Sequence, residues 1–202
     1  WMHDVGKMTT PEYVVDKATK LETIYDRVET VKTRYEVFKR DVEIAALKEK
    51  LKLTELSGQD QEIAAIDHRV QEAFNEIDAE RNFIVQCNTG GEFMDDESIQ
   101  RLERIAERTF DLAGKAQPRL TENEVYNLSI RKGTLTEEER QVINNHAAVS
   151  IKMLSQLPFS KKLQRIPEYA GGHHEKLNGE GYPLKLSAEE LPLQARILAV
   201  AD

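Results

Sequence analysis

Residues 14–53 read VVDKATKLETIYDRVETVKTRYEVFKRDVEIAALKEKLKL. Apolar side chains recur along this stretch in steps of three and four, the spacing that places them on one face of an α-helix. They are Val14, Ala18, Leu21, Tyr25, Val28, Val31, Tyr35, Phe38, Val42 and Ala45. The pattern predicts a continuous helix of about 40 residues, and a rod of that length needs a partner for its apolar face.

Two more helices are predicted next along the chain. Residues 57–60, Ser-Gly-Gln-Asp, combine a helix stop with a new N-cap, and a second apolar stripe from Ile63 to Ile77 then completes an antiparallel hairpin. Residues 88–91, Asn-Thr-Gly-Gly, form a turn cluster before a third amphipathic helix over residues 99–110. We expect these helices to serve packing, with His68 as a surface residue.

Helix starts in the rest of the chain are marked by hydroxyl residues three positions before a glutamate. After a break at residues 114–118, these pairs are Thr121 with Glu124, Thr136 with Glu139, and Ser187 with Glu190. They predict short helices of a compact core, one of which runs from Thr136 through His146 to Leu154. The sequence therefore predicts an all-α fold.

The charge, cysteine content and hydropathy of the sequence exclude several classes of protein and partner. The 202 residues include 36 acidic and 28 basic side chains, for a net charge of -8, so there is no overall basic field to gather DNA or RNA polymers. Cys87 is the only cysteine, which excludes an intramolecular disulfide. No apolar run approaches the length of a membrane span, and no signal peptide is visible. We expect a cytoplasmic protein.

Both ends of the sequence suggest a piece of a longer protein. The chain opens on Trp1 without an initiator methionine, and it stops within the apolar segment of residues 196–202. We therefore expect flanking sensor domains in the parent protein.

Histidines and carboxylates are the candidate metal ligands. His3 stands next to Asp4, His146 lies on a predicted helix, His173 and His174 are adjacent, and Asp202 closes the chain. A mixture of imidazoles and carboxylates suits borderline divalent metals such as Zn, Mn or Fe(II). A single helical histidine is more often structural, so the prediction depends on the set as a whole.

A glycine-rich segment follows the paired histidines. Residues 171–183 read GGHHEKLNGEGYP. Asn178 and Gly179 favour a backbone at positive φ, and Gly181 lets the chain approach a ligand closely. Tyr182 is suited to stacking on a base, and Pro183 fixes the exit from the segment. The segment is therefore predicted to bind a ligand.

These motifs together resemble the HD-GYP family of metal-dependent phosphohydrolases. The resemblance rests on His3-Asp4-Val5-Gly6-Lys7, the His146 helix, the HHExxxGxGYP string at residues 173–183, and Asp202. It covers residues 1–13 and 120–202, where it implies an HD-type helical bundle core that is incomplete at both ends. Residues 14–119 then form a helical, coiled-coil-like insertion, which we expect to pack beside the core or to mediate a homodimer.

The resemblance also implies an activity and a site. The activity is hydrolysis of cyclic di-GMP to pGpG or GMP in bacterial signalling, at a centre of two or three Fe, Mn or Zn ions. The implied metal ligands are His3, Asp4, His146, His173, His174 and Asp202. Lys7 and Asp4 are the implied catalytic residues, with Asp4 bridging the ions, and Gly181, Tyr182 and Lys7 line the substrate pocket.

The chain also departs from the family pattern. The family carries a Glu and a His ligand before the His-Asp pair, and basic substrate-contacting residues after the aspartate matched by Asp202; this chain contains neither. We therefore expect weak or no activity from these residues alone. Two alternatives stay open: a regulatory module that binds the nucleotide without turnover, and a phosphohydrolase for another nucleotide.

Overall fold

The computed structural model describes residues 2–54, 60–91, 93–112 and 115–202, and it confirms the predicted all-α class. Among these residues, the regular β structure is confined to one two-stranded hairpin. A 3-10 helix spans Val5–Thr9. The remaining elements are α1 (Glu12–Val15), α2 (Val28–Thr54), α3 (Asp60–Asn88), α4 (Asp96–Glu107), β1 (Thr109–Leu112), β2 (Lys115–Pro118), α5 (Glu122–Leu128), α6 (Glu137–Asn144), α7 (His146–Leu154), α8 (Ile166–Gly171) and α9 (Leu193–Ala201).

The chain divides into two compact units. The first contains Trp1–Lys17 and Leu135–Asp202, and the second contains Ala18–Thr134. The sequence places the boundaries of the insertion at residues 14 and 119. The two units are defined by contacts within the folded chain, whereas an insertion is a segment added during evolution. The contacts do not test that origin, so the insertion stays a prediction.

The second unit is built on an antiparallel pair of long helices, α2 and α3. Ion pairs join residues whose numbers rise on one helix as they fall on the other: Arg81 to Glu36 at 2.7 Å, Lys39 to Asp78 at 2.6 Å, and Arg69 to Glu49 at 2.8 Å. Between the helices lies a core that includes the buried side chains Tyr35, Phe38, Ile77 and Ile84. The predicted helical hairpin is therefore present in the structure.

The first helix of this hairpin is shorter than predicted. The sequence predicts one helix from residue 14 to residue 53, but α2 begins at Val28, where the Asp26 carboxylate accepts the Val28 N–H at 2.9 Å. Before this cap the chain is held to the end of α3, because the backbone amides of Lys20 and Leu21 donate to Asn88. The apolar stripe identified several buried residues, among them Val28, Val31 and Tyr35, but Ala18, Tyr25 and Ala45 are exposed. The capping and tethering bonds determine where the helix begins.

The third predicted helix also ends early. Residues 99–110 were expected to be helical, but α4 stops at Glu107 and Phe110 lies in β1. The Phe110 ring packs 4.6 Å from the Phe38 ring, so the apolar side chain still contributes to the core. Arg108 and Arg119 flank the open end of the strand pair, where the Arg119 N–H donates to the Arg108 oxygen at 2.9 Å, and both side chains bind the buried carboxylate of Glu80.

In the first unit, helical elements pack against one another in a series. The 3-10 helix packs against α7, α7 packs against α8, and α8 packs against α9. The helix predicted from Thr136 to Leu154 is interrupted at Asn145, which separates α6 from α7. His146 therefore stands at the first position of α7 rather than within a long helix.

Two of the three predicted capping boxes are confirmed. Thr121 and Thr136 each cap a helix reciprocally with the glutamate three residues later. Ser187 instead donates both its backbone N–H and its hydroxyl to Glu190 Oε2, and a turn follows in place of the predicted helix. Ser187 is held in a β-bridge with Asn178, and Pro192 blocks extension of helical hydrogen bonding, so these bonds close a loop.

The remaining predictions concern turns and surface residues. Gly90 has a φ of +65°, as expected for the predicted turn, and His68 is exposed on α3. Cys87 is buried as a free thiol. The predicted stop at residues 57–59 lies outside the described residues. Within the described ranges, every helix is too short or too polar to cross a bilayer.

Candidate metal centre

The His3-Asp4 pair is held in place by the glycine that follows it. Both residues lie in a turn before the 3-10 helix, and Gly6 sits directly on α7. The Gly6 amide donates to Ser150 Oγ at 2.9 Å, and a Cβ at Gly6 would collide with the carbonyl oxygen of His146. Because this position has room for a hydrogen atom only, the pair is brought next to the first turn of α7.

Backbone carbonyls orient two of the histidines. The Nδ1 atom of His146 lies 2.5 Å from the Ile143 oxygen, and the Nδ1 atom of His173 lies 2.5 Å from the Ala170 oxygen. Since a carbonyl oxygen only accepts, each Nδ1 carries the hydrogen, and the Nε2 atom of a neutral ring keeps its lone pair. Both Nε2 atoms face Asp4 Oδ1, at 3.1 Å for His146 and 3.6 Å for His173.

Two groups of ligand atoms result. The first contains Asp4, His146, His173 and His174, which we call the His-Asp cluster, and the second contains His3, His173 and Asp202. Within each group the ligand atoms all lie within 4.8 Å of one another. His3 Nε2 lies 2.9 Å from Asp202 Oδ1. The structure thus brings together the six residues that the sequence predicts as metal ligands.

Unsatisfied polar atoms indicate that these groups fit a cation. Asp4 Oδ1, His146 Nε2 and His173 Nε2 are buried and make no hydrogen bond within the described part of the chain. Native proteins rarely leave such atoms unpaired, and here a carboxylate oxygen and two imidazole lone pairs face one another. A divalent cation satisfies all three atoms, and mixed N and O ligands suit Zn, Mn or Fe(II).

The electrostatics keep His173, His174 and Asp4 in the protonation states that bind metal. Burial, with the neighbouring His173 and His146, lowers the pKa of His174 to about 4, and burial also lowers the pKa of His173. Burial alone would raise the pKa of Asp4, but the Lys7 hydrogen bond and charge hold it below its ordinary value. His173 and His174 are therefore neutral and Asp4 is ionised near pH 7.

The predicted substrate residues lie at the edge of the cluster. Lys7 Nζ is 2.7 Å from Asp4 Oδ2 and is partly exposed, and the Tyr182 ring stacks on the His174 ring with centroids 4.7 Å apart. Burial raises the pKa of Tyr182, so its phenol is neutral near pH 7. Gly181 closely approaches the chain's own backbone at Glu175 and Lys176, and its contact with a substrate stays a prediction.

Two residues that support the site were assigned no role from the sequence, although Glu175 belongs to the HHExxxGxGYP string. Ser150 holds the Gly6 amide, and Glu175 accepts three backbone amides from residues 184–186. Ser150 lies four residues after His146 and therefore on the same helix face, which is a usable signal. The partners of Glu175 lie in an irregular loop whose path has no periodic sequence signature.

A comparison with known families matches the HD domain family over residues 89–202. That range is more than half of the chain, and it begins before the core boundary predicted at residue 120.

Curated relatives match over shorter ranges. A probable cyclic di-GMP phosphodiesterase of Vibrio cholerae is 36% identical over 86 residues, which is 38% of this chain and 18% of the relative. A cyclic di-GMP phosphodiesterase of Thermotoga maritima is 38% identical over 73 residues, covering 36% of this chain and 20% of the relative. A 3'3'-cGAMP-specific phosphodiesterase 3 of Vibrio cholerae is 40% identical over 72 residues, 36% of this chain and 15% of the relative. The chain thus matches a fifth or less of the length of each of these three relatives, and no solved structure matches.

Proposed function

This chain belongs to the HD domain family, and we propose that it provides the metal centre of a phosphodiesterase that hydrolyses cyclic di-GMP to pGpG or GMP. The observation that carries the proposal is the His-Asp cluster, in which buried atoms of Asp4, His146 and His173 converge without hydrogen bonds among the described residues. The names of the relatives from Vibrio cholerae and Thermotoga maritima support the substrate class.

The ligands for the metal ions are assigned from the two groups of atoms. Asp4, His146, His173 and His174 would hold one ion, and His3, His173 and Asp202 lie where they would contribute to a second. When bound, Fe, Mn or Zn ions lower the pKa of a water molecule and polarise the phosphoryl oxygens. The identity and number of the ions are part of the proposal.

The chain's own residues position the substrate. Lys7 places its ammonium group beside Asp4, where it attracts a phosphoryl oxygen and stabilises the charge that develops there during hydrolysis. Tyr182 presents a neutral aromatic ring beside His174, a surface on which a guanine base stacks. The Nδ1 hydrogen bonds of His146 and His173 hold their rings in one orientation throughout the reaction.

A second substrate is favoured by one relative. The Vibrio cholerae 3'3'-cGAMP-specific phosphodiesterase 3 matches this chain at 40% identity, so 3'3'-cGAMP is a candidate beside cyclic di-GMP. The two dinucleotides share their phosphodiester ring and differ in one base. Discrimination therefore depends on base contacts such as the one proposed for Tyr182, and not on Lys7.

A substrate panel tests the proposal. The chain, extended by its native flanking sequence and loaded with Mn(II) or anaerobic Fe(II), is compared on cyclic di-GMP and 3'3'-cGAMP by kcat/KM. We expect hydrolysis of at least one, with a Lys7→Gln variant reduced about 100-fold on both because a transition-state charge contact is lost. Lys161→Gln removes the same charge from an exposed position and serves as the control. Equal rates for the two variants would contradict the role of Lys7.

The proposed homodimer uses an exposed apolar face of α2. Ile44, Leu47 and Leu51 are exposed and follow one another at three- and four-residue spacing. This is the spacing of a coiled-coil seam, and a second copy presenting the same stripe would cover it. Flanking sensor domains and a cytoplasmic location stay predictions from the sequence.

A further inference from the structure

The loop that carries Tyr182 is fastened by one buried carboxylate. Glu175 is 7% exposed, and its Oε1 atom accepts the backbone N–H groups of Leu184 at 2.6 Å and Lys185 at 3.0 Å. Its Oε2 atom accepts the N–H of Leu186 at 3.0 Å. Three amides bound by a single buried carboxylate form a strong clamp, because hydrogen bonds to a charged acceptor are stronger than those between neutral groups.

The three clamped amides include that of a residue with an unfavourable backbone conformation. Lys185 has a φ of +56°, in the left-handed region that side chains other than glycine seldom occupy. Such conformations persist where the surroundings hold them, and they concentrate at ligand-binding sites. Glu175 binds the amide of Lys185 and the amides of the residues on either side of it. The clamp therefore holds the chain at the strained residue itself.

Gly181, at the other end of the loop, packs directly against the backbone of Glu175. A Cβ at Gly181 would collide with the backbone of Glu175 and Lys176, so the chain passes directly over the residue that clamps it. Next to this crossing, the Tyr182 amide donates to the His174 oxygen at 3.3 Å, and the Tyr182 ring stacks on the His174 ring. The position of the Tyr182 ring beside the cluster therefore depends on both contacts with Glu175.

We propose that Glu175 is a positioning residue, which fixes the Tyr182 ring where it receives a base of the cyclic dinucleotide. This inference rests on the proposed function, since it assigns a role in substrate binding to a residue that contacts neither metal ligand atoms nor substrate. Because Glu175 acts through the loop, its loss weakens substrate binding and leaves the capture of metal by the His-Asp cluster intact.

The test compares Glu175→Gln with Glu180→Gln. The amide of glutamine keeps one acceptor oxygen but presents a donor to the N–H of Leu186, which breaks the clamp in part. Glu180 belongs to the same loop and carries the same charge, but it is exposed and its carboxylate accepts only from the Asn178 side chain among the described residues. Glu180→Gln therefore controls for the loss of a negative charge near the site.

Three measurements are made on both variants: hydrogen exchange of the amides at residues 184–186, Mn(II) binding, and KM and kcat for cyclic di-GMP. For Glu175→Gln we expect exchange at least about tenfold faster and a KM about tenfold higher, which corresponds to about 1.4 kcal/mol of binding. We expect Mn(II) stoichiometry to be unchanged and kcat to stay within about twofold. Glu180→Gln is expected to match the wild type in all three.

Two results would overturn the inference. One is an unchanged KM in Glu175→Gln despite faster exchange, which would make the clamp irrelevant to substrate. The other is loss of Mn(II) binding in parallel with activity, which would make Glu175 a general support of the fold. If the wild type binds cyclic di-GMP without hydrolysing it, the proposed function fails, and dissociation constants of the two variants still decide the role of Glu175.

Discussion

Replacing Gly6 by alanine should displace the His3-Asp4 pair from the metal centre. A Cβ at this position would collide with the His146 carbonyl oxygen and lie 2.8 Å from the Ser150 nitrogen, whereas ordinary contact begins at 3.4 Å, so the backbone must move by more than about 0.6 Å. Metal ligands tolerate about 0.2 Å of misplacement. We therefore expect Mn(II) affinity to fall at least about tenfold, together with about 1–3 kcal/mol of stability lost to overpacking.

Calorimetric titration with Mn(II) and urea unfolding measure the two effects. Gly91→Ala is the matched control, because a Cβ there would meet no atom of the described residues within 4 Å and the residue is exposed. The control should bind Mn(II) like the wild type and unfold within about 0.5 kcal/mol of it. A Gly6→Ala protein that also matched the wild type in both assays would refute the argument that close packing on α7 positions Asp4.

Three further outcomes are expected. Saturation with Mn(II) at about 100 times its Kd should raise the free energy of unfolding by about 2.7 kcal/mol, and calorimetry with and without chelator checks this. Ile44→Glu with Leu47→Glu should convert a dimer to a monomer in light scattering, and a wild type that is monomeric at every concentration would exclude the dimer. Glu124→Gln should cost about 3 kcal/mol in urea unfolding at pH 7, because the buried ion pair with Arg34 is broken. Burial alone would raise the pKa of Glu124, but the Arg34 bonds lower it below 4.5, so this deficit should shrink as the pH falls below about 4.5; a deficit constant with pH would contradict the assignment.

Helical spacing and capping predicted much of the fold because both depend on nearby residues. The stripe over residues 14–53 selected Val31, Tyr35 and Phe38, all of which are buried in the second unit. It failed over residues 16–27, where the helix is replaced by backbone bonds to Asn88. Those partners are more than 60 residues away, so no local pattern contains them.

The site was predictable as a set of residues, since His, Asp and their order identify a metal-binding family. Its supports were not predictable, because they depend on the folded path of the chain. Ser150 reaches Gly6 across 144 positions, and Glu175 clamps a loop whose strained Lys185 has no glycine to mark it. The sequence therefore names the proposed metal ligands more readily than the residues that hold them in position.

The most direct test is chromatographic detection of products from cyclic di-GMP. The chain, extended by its native flanking sequence and loaded with Mn(II) or anaerobic Fe(II), is compared with His173→Ala/His174→Ala and with His68→Ala. His68 is exposed on α3, where it faces Glu72, so its loss leaves the cluster intact. We predict pGpG or GMP from the wild type and His68→Ala, and no product from the double variant. Equal product from the double variant, or none from a metal-loaded wild type, would contradict the proposed phosphodiesterase.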